Sequence, residues 1–140
     1  MDQMIAPLRK YADFHGRATR TEFWMFFLFR VLLVVAFVVP FVIIVGISDR
    51  DSNGGPIGIL ASLWLGLACL VYLALIIPEL AVTVRRLHDQ DLSGWFVLLG
   101  LVPMGGFVVF IFMLLKGTNG TNRHGPDPRA PTEQTASIFA

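Results

Sequence analysis

Three long apolar runs constrain this chain before any other feature does. The first is Phe23–Ile47, broken only by Arg30. The second is Ile57–Pro78, which continues past Glu79 to Val84, and the third is Trp95–Leu115, which carries no charge. A helix needs about 20 apolar residues to cross the ~30 Å hydrocarbon layer, and a buried helix of a soluble protein offers about 10–14. Each run is therefore long enough to span. The charges agree with that reading. The chain holds 11 Lys and Arg and 10 Asp and Glu. All but Arg30 and Glu79 lie in the polar stretches 1–22, 48–56, 85–94 and 116–140. Charged residues make up 15% of the chain and the mean hydropathy is +0.68, against about 25% charged in soluble domains. A soluble enzyme domain, a disordered chain and a disulfide scaffold are excluded.

The fold class expected is all-α, an integral membrane protein with hydrophobic segments at about 23–47, 57–84 and 95–115. Residues 1–128 read as one membrane domain and 129–140 as a flexible polar tail. The amino terminus is mixed and charged, and the first apolar run is too long for a cleavable signal. Apolar residues at Met1, Met4, Ile5, Leu8, Tyr11 and Ala12 keep helical spacing, which predicts a short interfacial helix with Arg9 and Lys10 near lipid phosphates. Thr19 and Glu22 fit a capping box at the start of the first spanning helix. Residues 48–56 are rich in glycine and polar groups, so the first two helices are expected as antiparallel neighbours. Ser62, Gly66 and Cys69 form a narrow small-residue face suited to helix packing. The single cysteine carries no information on redox compartment.

Lysine and arginine favour the cytoplasmic side. Arg9, Lys10, Arg17 and Arg20 precede the first run, Arg50 alone marks the first loop, and Arg85 and Arg86 mark the second. The amino terminus is therefore expected in the cytoplasm. The third run has Val102, Pro103, Met104, Gly105 and Gly106 at its centre, which breaks helix. It is either a kinked span or a re-entrant hairpin, and the hairpin also brings Lys116, Arg123 and Arg129 inside.

Three polar blocks stand out: Phe14-His-Gly-Arg-Ala-Thr-Arg-Thr-Glu-Phe-Trp24, then Arg85-Arg-Leu-His-Asp-Gln-Asp-Leu-Ser-Gly-Trp95, then Gly120-Thr-Asn-Arg-His-Gly-Pro-Asp-Pro128. In order and spacing the set resembles the domain of unknown function 805 family of small bacterial inner-membrane proteins, over about residues 10–128. His124 stands where that pattern has an aromatic residue, and Arg30 and Glu79 fall outside it. The resemblance implies an integral protein of the bacterial cytoplasmic membrane. It implies no activity.

Physically, Arg17, Arg20, Arg85 and Arg86 are placed where the chain enters the bilayer, with Trp24 and Trp95 as interfacial anchors. The expected role is a site for anionic lipid or a partner. Arg30 and Glu79 fall at similar depth on antiparallel helices and are expected to pair. His88, Asp89 and Asp91 are the nearest approach to catalytic chemistry. No HExxH, CxxC pair, P-loop or GxSxG accompanies them, so they read as orienting or capping groups, like Thr19 and Glu22. Asp89 is expected beside Arg85 or Arg86, and Asp91 or Ser93 as a cap. No catalytic residue, metal or cofactor is expected, and the net charge of +1 without a basic groove argues against nucleic acid. The leading function is a structural or interaction protein with a basic cytoplasmic face. Its partners are membrane lipids and a second copy or another membrane protein. An oligomeric carrier using Arg30 and Glu79 is the alternative, and a headgroup-modifying enzyme using His88 and Asp89 comes third.

Overall fold

The computed structural model describes residues 2–48 and 56–130. The expected turn at 48–56 lies almost wholly outside the described residues, as do 131–140. Four α-helices follow one another: α1 (Asp2–Arg9), α2 (Arg20–Ser48), α3 (Pro56–Asp89) and α4 (Gly105–Leu114), with a 3-10 segment at Gly94–Leu101 before the last.

Helix α2 begins where Thr19 Oγ1 accepts the Glu22 N–H at 3.1 Å, closing one of the open donors of the first turn. Its 29 residues are about 44 Å long, and the 34 of α3 about 51 Å. The two are antiparallel: Glu22 meets Arg85, Arg30 meets Glu79, and Trp64 Nε1 donates to the Phe37 carbonyl at 2.9 Å. Their outward faces stay apolar and exposed, as at Val42, Leu63 and Leu70. An apolar surface of that extent is at equilibrium only against hydrocarbon. Both helices are long and apolar enough to cross a membrane.

The core sits toward the polar end of this pair, where Ala18, Phe26, Leu75 and Val82 pack with Leu8, Phe23, Phe29, Leu33 and Val71. Leu8 brings α1 into that cluster, and Tyr11 Oη donates to the Ala74 carbonyl at 2.5 Å. The amino-terminal helix is thus docked on α2 and α3.

The third apolar run turns back on itself. Pro103 forces Val102 into extended backbone (φ −92°, ψ 140°), ending the 3-10 segment. Met104 then adopts a left-handed φ of 66°, and Gly105 N–H donates to the Val102 carbonyl at 2.9 Å. A Cβ at Gly105 would collide with the Leu99 carbonyl, so only glycine lets α4 pass so near the segment before it. The two limbs pack against each other and against α3. Of the two expectations for this run, the described residues adopt the folded-back form. At about 2.0 Å per residue for the 3-10 limb and 1.5 Å for α4, each limb is about 15 Å long. Both ends of the hairpin consequently lie at the polar end of α3.

Candidate functional site

The polar blocks converge on the last turn of α3. Asp89 is 1% exposed. Its Oδ1 accepts from Arg17 Nε at 2.9 Å and Nη2 at 2.8 Å, and its Oδ2 accepts from Arg86 Nη1 at 2.5 Å. Arg129 Nη2 stands 3.5 Å from the same Oδ1. One buried carboxylate therefore gathers three guanidinium groups from three parts of the chain. Arg17 spends its remaining donors on the carbonyls of Thr118 and Gly120, each at 2.5 Å. The Asp89 carbonyl accepts the Thr118 N–H at 2.8 Å, and Gly117 packs so tightly on the Asp89 carboxylate that no Cβ fits there.

A second layer surrounds this centre. Arg85 Nη1 donates to Glu22 Oε1 at 2.9 Å. Arg86 reaches the Leu115 carbonyl, which also accepts from Arg20 Nε at 3.0 Å, and Gln90 Nε2 donates to the Phe112 carbonyl. Two guanidinium groups thus sit at the carbonyl end of α4, where the helix dipole favours cations. His88 and His124 stack face to face, 3.8 Å between ring centroids, and Asn122 Nδ2 donates to the His88 carbonyl at 2.8 Å. Outside, Arg123 Nε donates to Asp91 Oδ1 at 3.0 Å, and this hydrogen bond holds the Asp91 carboxyl below its ordinary value. Arg129 Nε does the same to Asp127 at 2.9 Å, with the Arg129 backbone N–H assisting, and lowers that carboxyl to about 2.

Several expectations are corrected here. Arg17, Arg85 and Arg86 do not face lipid phosphates: they are 7%, 1% and 0% exposed. A guanidinium so buried needs a carboxylate and carbonyl acceptors around it, and Asp89, Glu22 and the tail carbonyls supply them. Glu22 does not complete the capping box, because its carboxylate is held by Arg85. Asp91 caps no helix and pairs with Arg123, while Ser93 Oγ sits at the start of the 3-10 segment, 3.4 Å from the Trp95 N–H. Arg129 Nη2 donates to the Thr118 carbonyl at 2.7 Å, and the rest of the expected tail, 131–140, lies outside the described residues. Arg20 is exposed yet engaged, as above. Trp24 packs edge-on against Phe23, Phe27 and Phe110, whereas Trp95 is 78% exposed.

Arg30 and Glu79 are brought together as an ion pair between α2 and α3, apart from the cap. Their side chains are 21% and 37% exposed. They line a cavity of about 560 Å³ between the hairpin and the two long helices.

Sequence reasoning missed the tail. Thr118, Asn122, Arg123, Asp127 and Arg129 hold the cap together, and the density of Gly, Asn and Asp from Gly117 to Asp127 was the available signal of a tight, hydrogen-bonded loop. Among the described residues no group of three His, Cys, Asp or Glu side chains converges as metal ligands do.

Two long apolar helices, a folded-back third apolar run and a polar cap define a helical membrane protein. The chain belongs to the family described as Protein of unknown function (DUF805), whose model matches residues 11–126. It is similar to inner membrane protein YhaH of Escherichia coli (strain K12), with 38% identity over 133 residues, covering 92% of this chain and 98% of that protein. It is also similar to inner membrane protein YhaI of the same organism, with 37% identity over 130 residues, covering 92% and 97%. No solved structure matches it.

Proposed function

We propose that the protein is an interaction module of the inner membrane, anchored by α2 and α3 and working through contact on its cytoplasmic side. The observation that carries this reading is the buried charge network of the cap. Asp89 engages Arg17, Arg86 and Arg129, and Glu22 engages Arg85. Side chains committed to each other in this way build a rigid platform. On this reading the protein is not an enzyme. The amino terminus, the 85–94 loop and the tail share the cytoplasmic side, and 48–56 faces outward. What the platform presents is the outer face of the hairpin, from Trp95 at its base to Leu101 and Met104 at its tip, each more than three-quarters exposed, with the exposed Lys116 at its base. Apolar and aromatic groups next to a cation suit a membrane-protein partner at headgroup depth, with anionic lipid around it.

A photo-crosslinking residue at Leu101, in cells, tests this. A discrete protein adduct at Leu101 that disappears with Asp89→Asn is the expected result. Adducts of lipid alone, unaffected by that substitution, overturn it. The carrier reading rests on Arg30 and Glu79 lining a cavity. It needs an oligomer, because two long helices enclose no path, and a monomer in nanodiscs removes it.

A further inference from the structure

The cavity beneath the hairpin has a shape and a chemistry that the cap does not use. Arg30 and Tyr72 line it together with Glu79 and Thr83, and apolar hairpin residues such as Leu101 and Phe110 close the other side. The same Arg30 and Tyr72 also line a second, almost wholly apolar crevice of about 260 Å³ between α2 and α3, which extends past Leu33 and Phe37. From Arg30 to Phe37 that crevice climbs about 10 Å along α2. The two spaces meet at the ion pair, one with a charged floor and one without a polar group beyond it.

Depth supports the match. If the apolar stretch Ile57–Pro78 of α3 fills the hydrocarbon layer, at about 33 Å, then Glu79 and Arg30 fall at its edge, where headgroups lie. Arg30 lines the cavity with its side chain 21% exposed, so its guanidinium offers donors to an anionic oxygen. Glu79, more exposed than Arg30, offers acceptor capacity to a cation. A neutral acid–base pair is complementary to a zwitterion, whereas a purely anionic headgroup would meet the Glu79 carboxylate.

We propose that this composite pocket holds one phospholipid of the surrounding membrane with a phosphoethanolamine headgroup. The phosphate rests on Arg30 and the ammonium on Glu79, and an acyl chain lies in the crevice toward Phe37. This site is separate from the cap, and its occupancy does not depend on the interaction reading above.

The full chain, purified in detergent with equimolar phosphatidylethanolamine and phosphatidylglycerol, is examined by native mass spectrometry. One retained phosphatidylethanolamine per monomer is expected. Glu79→Gln should shift retention toward phosphatidylglycerol by about fivefold, the effect of one headgroup charge contact, and Arg30→Gln should lose both lipids. Gly100→Leu provides the steric test. It lines the cavity, a Cβ there meets open space, and the charges are untouched, so it should expel the lipid while helical content by circular dichroism stays unchanged. Equal retention of the two lipids by the wild-type chain overturns the proposal, as does a lipid ratio indifferent to Glu79→Gln. So does a dimer that forms only when lipid is stripped away by a second copy seated on the pocket.

Discussion

Asp89 does more for this structure than any other single residue. Its carboxylate lies under three guanidinium groups at 1% exposure, so Asp89→Asn leaves Arg86 buried without its carboxylate and Arg17 with only Asp127, at 4.0 Å. Removing one partner of a buried pair costs about 3–5 kcal/mol. The expected outcome is a clear fall in thermal stability in detergent, together with release of the tail to protease. Asp127 behaves differently, because it lies at the margin of the cap with its side chain 14% exposed. Its carboxyl is held at about 2 by the Arg129 side chain and backbone N–H. A carboxyl lowered on folding contributes stability above its unfolded pKa, and loses it as pH falls through the folded value. Between pH 4 and 8 its contact with Arg129 should therefore hold steady. Titration of the Asp127 carboxyl by NMR should show a midpoint near the lower value, and Arg129→Ala should raise it toward the ordinary carboxylate range of about 3.9, stopping short because the backbone N–H groups of residues 129 and 120 remain.

Among the elements, the hairpin is the one that its own backbone makes possible and also strains. Met104 carries a φ of 66° at an 81% exposed tip. A non-glycine residue in that region costs about 1–2 kcal/mol, and Met104→Gly should recover roughly 1 kcal/mol, read as a higher melting temperature. Gly105→Ala should do the opposite, since the added Cβ runs into the Leu99 carbonyl. The limbs would separate at the turn, and a disulfide engineered between them would form more slowly. Helices α2 and α3 are joined by a different device. Arg30→Leu and Glu79→Leu combined in a double-mutant cycle should show coupling of about 1 kcal/mol, the scale of interhelical polar contacts in bilayers. Strict additivity would mean that the two side chains reach the headgroups independently.

For the whole molecule the topology proposed above can be read from fusions along the chain. Both ends of the hairpin meet the last turn of α3, where Leu115 accepts from Arg86 and Thr118 donates to Asp89. Alkaline phosphatase fused after residue 52 should be active, and fusions after residues 90 and 140 inactive. Activity at 140 would require the third run to cross, and activity at 90 would invert the whole topology.

That the protein is helical and lives in a membrane was legible in the sequence, because hydropathy is summed over long windows and needs no knowledge of neighbours. The start of α2 at Thr19, the antiparallel pairing and the meeting of Arg30 with Glu79 were legible too, since the fixed rise of a helix converts sequence spacing into depth. The roles of the motif arginines were not. A guanidinium beside an apolar run reads as a lipid contact, and only tertiary structure showed that Asp89, Glu22 and the carbonyls of Leu115, Thr118 and Gly120 lie within its reach. Those partners are 3 to 103 residues away in the chain, a separation across which local pattern carries no signal. The choice between span and hairpin was likewise left open by 21 uncharged residues around Pro103. Only the tertiary structure showed the run folding back, with contacts at its far ends bringing the tail to the buried Arg17, Arg86 and Asp89.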